Sequence, residues 1–136
     1  MTVYVDTSGL LAVMDSGDQF HEQAKAEWVR LLESGEGLVC SSYVLLETNA
    51  LVQHRLGMDA VRALHEDVFP VLMVDWTDED VHREAMSALL VANRKDLSLV
   101  DCSSFITMRR LGLRVAFAFD RHFAEQGFGL TPYQEG

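Results

Sequence analysis

The chain has 136 residues, 49% of them hydrophobic and 24% charged, with a formal net charge of -10. That length suits one domain with a single core, and the composition excludes disordered and fibrous classes. No apolar run approaches the ~20 residues of a membrane span, and the acidic balance argues against a general nucleic-acid binder, which needs clustered Lys and Arg.

In chain order, the first expected element is the strand TVYV, which ends in Asp6. Its β-branched and aromatic residues, like those of VAFAF before Asp120, fit parallel strands buried on both faces. Gln19–Glu33 repeats apolar residues at Phe20, Ala24, Trp28, Leu31 and Leu32, which predicts an amphipathic helix ended by Gly35. A strand is expected at Gly37–Ser41, then a helix over Ser42–Leu56 that stops at Gly57. Asp59–Val68 reads as a helix before Pro70, Val71–Asp75 as a strand, and Asp78–Ala92 as a helix capped by Thr77 or Asp78. Leu99–Leu111 is the last long helix, ended by Gly112, and Gly129–Thr131 forms an edge strand. Strands alternating with helices predict an α/β fold: one domain over residues 1–136, on a parallel sheet with right-handed crossovers.

The strand pattern starts at Thr2 with no basic segment before it, so no secretory signal is expected and the location predicted is cytoplasmic. Cys40 and Cys102 lack a CxxC or a nearby His and read as small buried hydrophobes. Between Arg94 and Arg121 the charge inverts: six basic residues face three acids, a local balance of +3 against -13 for the rest. A polyanion could be held at that one edge, although the same Arg residues also fit a solvated helix face.

Four carboxylates stand at strand ends or within apolar helix faces: Asp6, Glu47, Asp101 and Asp120. Burying one bare carboxylate costs roughly several kcal/mol, so four of them point to a shared divalent cation and to a metal-dependent enzyme. Each has a plainer alternative. Asp6, with Thr7 and Ser8 behind it, can cap a helix beginning near Leu10. Asp101 completes a capping box with Ser98, and Asp120 can cap a short helix. Glu47 lies too deep in its helix to cap it, among Val44, Ala50 and Leu51. Oxygen ligands without a His or Cys cluster suit Mg²⁺ or Mn²⁺ rather than Zn²⁺. Asp96 reads as a loop residue. His21, His54, His65, His82 and His122 share no spacing and read as surface or interhelical residues.

The motifs VYVDTSGLLAVMD, SSYVLLET, DLSLVDCSSF and FAFDRHF, in that order and over essentially the whole chain, resemble the PIN-domain ribonucleases, and more narrowly the VapC-type toxins of toxin–antitoxin pairs. The resemblance implies a three-layer α/β/α sandwich on a parallel sheet of four or five strands. It maps the family's acids onto Asp6, Glu47, Asp101 and Asp120, and its small hydroxyl residue onto Ser8. It further implies a homodimer and a small antitoxin whose C-terminal segment crosses the active site. The chain departs from the family at Ala118 and Phe119, where Thr or Ser and then Asn are common; a hydroxyl that orients a water or an acid is missing there.

Together these readings predict in-line hydrolysis of RNA with one or two Mg²⁺ or Mn²⁺ ions. Asp6 and Asp101 are expected as direct ligands, Glu47 and Asp120 as direct or water-mediated ones, and Ser8 as the holder of a water or phosphate oxygen. Arg121, with Arg94 or Lys95, is expected on RNA phosphates, and single-stranded or looped RNA suits a narrow acidic cleft. A housekeeping nuclease and an inactive scaffold that only docks a partner remain alternatives. An aspartyl-phosphate phosphatase would want a second Asp where Ser8 stands, and a receiver-like module would want a paired acid beside Asp6.

Overall fold

The computed structural model describes residues 1–134. Five strands form one parallel sheet: β1 (Val3–Val5), β2 (Leu38–Ser41), β3 (Met73–Asp75), β4 (Val115–Phe117) and β5 (Gly129–Thr131), in the order β3-β2-β1-β4-β5. Tyr4 of the central strand pairs with Val39 on one side and Ala116 on the other. All three residues of β1 are buried, which is why its sequence is apolar throughout rather than alternating.

Seven helices cover the sheet: α1 (Thr7–Met14), α2 (His21–Ser34), α3 (Ser42–Leu56), α4 (Met58–Ala63), α5 (Glu79–Ala92), α6 (Leu99–Leu111) and α7 (His122–Glu125). Alternation along β1 and β4 sorts them into layers. On one face the Tyr4 hydroxyl donates to Ser104 Oγ of α6 at 2.7 Å, and its ring lies 6.3 Å from Phe123 of α7. On the other, Phe117 meets Trp28 of α2 at 5.9 Å and lies against Gly9 of α1. The result is a three-layer α/β/α sandwich with five strands. Gly9 sets the closeness of that second contact, because a Cβ there would stand 2.6 Å from the Phe117 carbonyl oxygen.

Helices α3 and α6 have the expected bounds, for local reasons. Ser41 and Ser98 accept from backbone N–H groups of the first turns, and Gly112 takes the left-handed conformation (φ 69°) that ends α6. The segment expected as one helix to Val68 behaves otherwise: α4 stops at Ala63, and a wider turn follows over Leu64–Val68, in which the Phe69 N–H donates to the Leu64 carbonyl. A tight turn over Phe69–Val71 contains Pro70, so strand pairing begins only at Met73 instead of Val71. Cys40 and Cys102 are buried free thiols. Among the described residues no helix is long and apolar enough to cross a membrane.

Candidate active site

The acids converge at the carboxyl edge of the sheet, where open α/β sheets place their ligands. Asp6 follows β1 and caps α1. Its Oδ2 accepts from the Ser8 N–H at 3.1 Å and the Ser8 hydroxyl at 2.6 Å, and Ser8 Oγ accepts from the Phe119 N–H at 2.9 Å. Ser8 thereby ties the end of β1 to the segment leaving β4. Capping α1 leaves the Asp6 carboxylate at the same edge of the sheet as the other acids.

Glu47 stands half-buried in α3, and the Thr7 hydroxyl bonds to it while accepting from Thr48 at 3.2 Å. Asp101 realises the full capping box with Ser98: its Oδ2 accepts from the Ser98 N–H at 3.1 Å, and its own N–H donates to Ser98 Oγ at 3.0 Å. Asp120 Oδ1 accepts from the His122 N–H at 2.9 Å, which folds the chain back on itself after β4.

The tightest grouping is Asp101, Asp120 and His122, each offering a ligand atom within 4.8 Å of the others. His122 Nδ1 lies 2.8 Å from Asp120 Oδ1 and 3.6 Å from Asp101 Oδ2. It is buried, yet no hydrogen bond of good geometry reaches it. His122 Nε2 approaches Asp96 at 3.3 Å. Sequence spacing assigned His122 to a surface or interhelical place, and the structure corrects that. The available signal was the Asp-x-His step, because the turn that Asp120 makes with the N–H two residues on swings this imidazole back to the acids. Thr7 was likewise noticed only as part of a cap, and it also braces Glu47.

The electrostatics show that the four acids share one field. Burial raises the Asp6 carboxyl to about 6, against the two Ser8 bonds, with Asp101 and Glu47 adding repulsion. Glu47 is raised by burial and by Asp101, the Thr7 bond opposing. Asp101 is raised by burial and then by the Asp120 carboxylate beside it. The basic side chain that faces Asp101 and Asp120 is His122. Burial alone would lower His122, but Asp96, Asp120, Asp101 and Glu125 together raise it. The carboxylate oxygens, with their surplus of negative charge, form a donor set that fits Mg²⁺ or Mn²⁺.

The basic residues are distributed differently. Arg94 holds Asp96 through two bonds of 3.1 and 2.9 Å and reaches Glu125 at 2.9 Å. Arg121 and Lys95 are exposed. Asp96 lies in the loop before α6, and Arg94 holds its carboxyl down at about 2. Ala118 is fully buried, and its carbonyl accepts from Gln134 at 2.8 Å.

The PIN domain family model matches residues 3–129. The chain is 33% identical over 127 residues to the 23S rRNA-specific endonuclease VapC20 of Mycobacterium tuberculosis, covering 93% of this chain and 95% of that one. It superposes on the crystal structure of VapC20 with a TM-score of 0.80 over the same shares. It is 22% identical to the VapC ribonuclease of Aquifex aeolicus, over 96% of this chain and 97% of the relative. FitAcB of Neisseria gonorrhoeae shares the fold at a TM-score of 0.69 and 14% identity, over 98% and 97% of the two chains.

Proposed function

The chain belongs to the PIN-domain family, and from that premise we propose that it is a divalent-metal-dependent endoribonuclease, the toxin of a toxin–antitoxin pair. The observation that carries this reading is the convergence of Asp6, Glu47, Asp101 and Asp120 from four separate elements at the carboxyl edge of the sheet, where burial and mutual repulsion raise Asp6, Glu47 and Asp101.

Asp6 and Asp101 would hold Mg²⁺ or Mn²⁺ directly, with Glu47 and Asp120 direct or through water. Bound there, the cation supplies an activated water and stabilisation of the leaving oxygen. The chain's own residues do the positioning. Ser8 fixes the Asp6 carboxylate, Thr7 fixes Glu47, and the Ser98 box sets the rotamer of Asp101. His122 Nδ1 stands between Asp120 and Asp101 and orients toward both carboxylates. Arg121 and Lys95 contact RNA phosphates at the rim, and Arg94 contributes through its hold on Asp96. The protein works in the cytoplasm as a homodimer, and a cognate antitoxin covers the site until it is removed. A relative named as specific for 23S rRNA makes a ribosomal RNA loop the first substrate to try.

The test is incubation of the purified, antitoxin-free protein with ribosomal and transfer RNA, with Mg²⁺ or Mn²⁺, beside EDTA and an Asp6→Asn control. Discrete metal-dependent cuts, lost in the variant, are expected. Folded, metal-loaded protein that cuts nothing contradicts the proposal. Growth arrest on expression alone, relieved by the neighbouring gene product, separates the toxin from a housekeeping nuclease.

A further inference from the structure

At Phe119, the residue before Asp120, opens a cleft of about 520 Å³, lined by Phe20, Phe119, Leu130 and Gln134 with Arg121 and Glu125 among the rest. We propose that this cleft seats one unpaired nucleobase of the RNA, next to the phosphate that is cut. The inference rests on the ribonuclease reading and adds the residues that select the substrate.

The cleft wall is aromatic and flat. Phe20 and Phe119 are stacked, their centroids 4.6 Å apart and their planes within 8°, and Phe117 closes on Phe119 edge-first at 6.2 Å. Both Phe20 and Phe119 line the cleft and stay partly exposed. Every base has a π-face, and an aromatic wall holds a base without regard to its hydrogen-bonding edge.

The platform is in fixed register with the chemistry. Phe119 immediately precedes Asp120, and its N–H donates to the same Ser8 oxygen whose hydroxyl holds Asp6. A base lying on Phe119 therefore belongs to a nucleotide at the acids, not to a distant one. Arg121, on the other side of Asp120, and Glu125 bring one charge of each sign to the lining. The Gln134 amide nitrogen already serves the Ala118 and Pro132 carbonyls at 2.8 and 3.1 Å, so what this side chain offers a base edge is its carbonyl oxygen.

The experiment is a coupling measurement. Binding of fluorescein-labelled single-stranded homopolymer RNAs, and of an abasic ribose-phosphate chain of equal length, is measured with the Asp101→Asn protein, which binds without cutting. Phe119→Leu and Phe20→Leu are then added singly, with thermal melts to verify folding. Removing the bases should weaken binding roughly 5- to 150-fold when the wall is intact. In each Leu variant that ratio should fall toward one while affinity for the abasic chain is kept.

A ratio unchanged in both variants overturns the proposal, and so does the absence of any preference for bases. Loss of antitoxin affinity with an unchanged ratio would make the cleft a peptide seat and overturn it equally. The two readings fail separately. Coupling without cleavage by the unmutated protein removes the ribonuclease reading and keeps the subsite, whereas cleavage without coupling does the reverse.

Discussion

Replacing Asp6 by Asn should stabilise the metal-free protein while abolishing its activity. Asp6 is only 3% exposed, and its carboxyl stands at about 6 against an ordinary 3.8, burial being the main cause. That difference corresponds to ~3 kcal/mol of ionisation penalty carried by the folded state at neutral pH. Because the folded value is raised, the stability conferred by protonation is complete below the unfolded value and is lost as pH rises through about 6. Asn has nearly the same shape, still accepts from Ser8, and carries no charge at any pH. In EDTA at about pH 8 the variant should gain up to ~3 kcal/mol, or roughly 10 °C in Tm for a domain of this size. The gap should narrow as pH falls to about 4, where the wild-type carboxyl is protonated in the fold. Circular-dichroism melts over that range measure it, and added Mn²⁺ should raise the wild-type Tm far more than that of the variant. A variant that melts at or below the wild type at about pH 8, or a gap independent of pH, would refute the reasoning.

Other changes test the supports of the site. Ser8→Ala removes the bridge between Asp6 and the Phe119 N–H and should cost about 1–3 kcal/mol in denaturant unfolding together with most of the cleavage activity. Gly9→Ala drives a Cβ against the Phe117 carbonyl and should cost about 1–3 kcal/mol despite the better helix propensity of Ala; a neutral result would mean that α1 can lift away from β4. His122→Ala should destabilise the metal-free protein most below the ordinary His range and least above the raised value, since a raised imidazole stabilises only while protonated. Melts in EDTA across that interval check the sign.

Much of this was legible in the sequence, and the exceptions have physical causes. Helices α3 and α6 carried their own stop signals, a Ser before each and a Gly after, so their bounds followed from local chemistry. The stretch around Pro70 did not, because apolar spacing cannot distinguish a regular helix from the wider turn at Leu64, and the tight turn over Phe69–Val71 that follows consumed the start of the expected strand. The four acids were conspicuous because each stands in apolar company. His122 was not, since its place depends on the backbone reversal at Asp120 and on the depth of Asp101 below it. Thr7 bridges helices from elements 41 residues apart, a contact that no local pattern encodes. The stacking of Phe20 on Phe119 joins distant segments in the same way.

The most direct test is the binding of Mn²⁺, followed by electron paramagnetic resonance, to the wild type and to Asp6→Asn and Asp101→Asn proteins that are shown to be folded. Saturable binding by the wild type that weakens by at least about tenfold in each variant, roughly the loss of one ligand's 1.4 kcal/mol or more, is what a shared carboxylate site predicts. Equal binding by all three proteins would place the cation elsewhere and contradict the account.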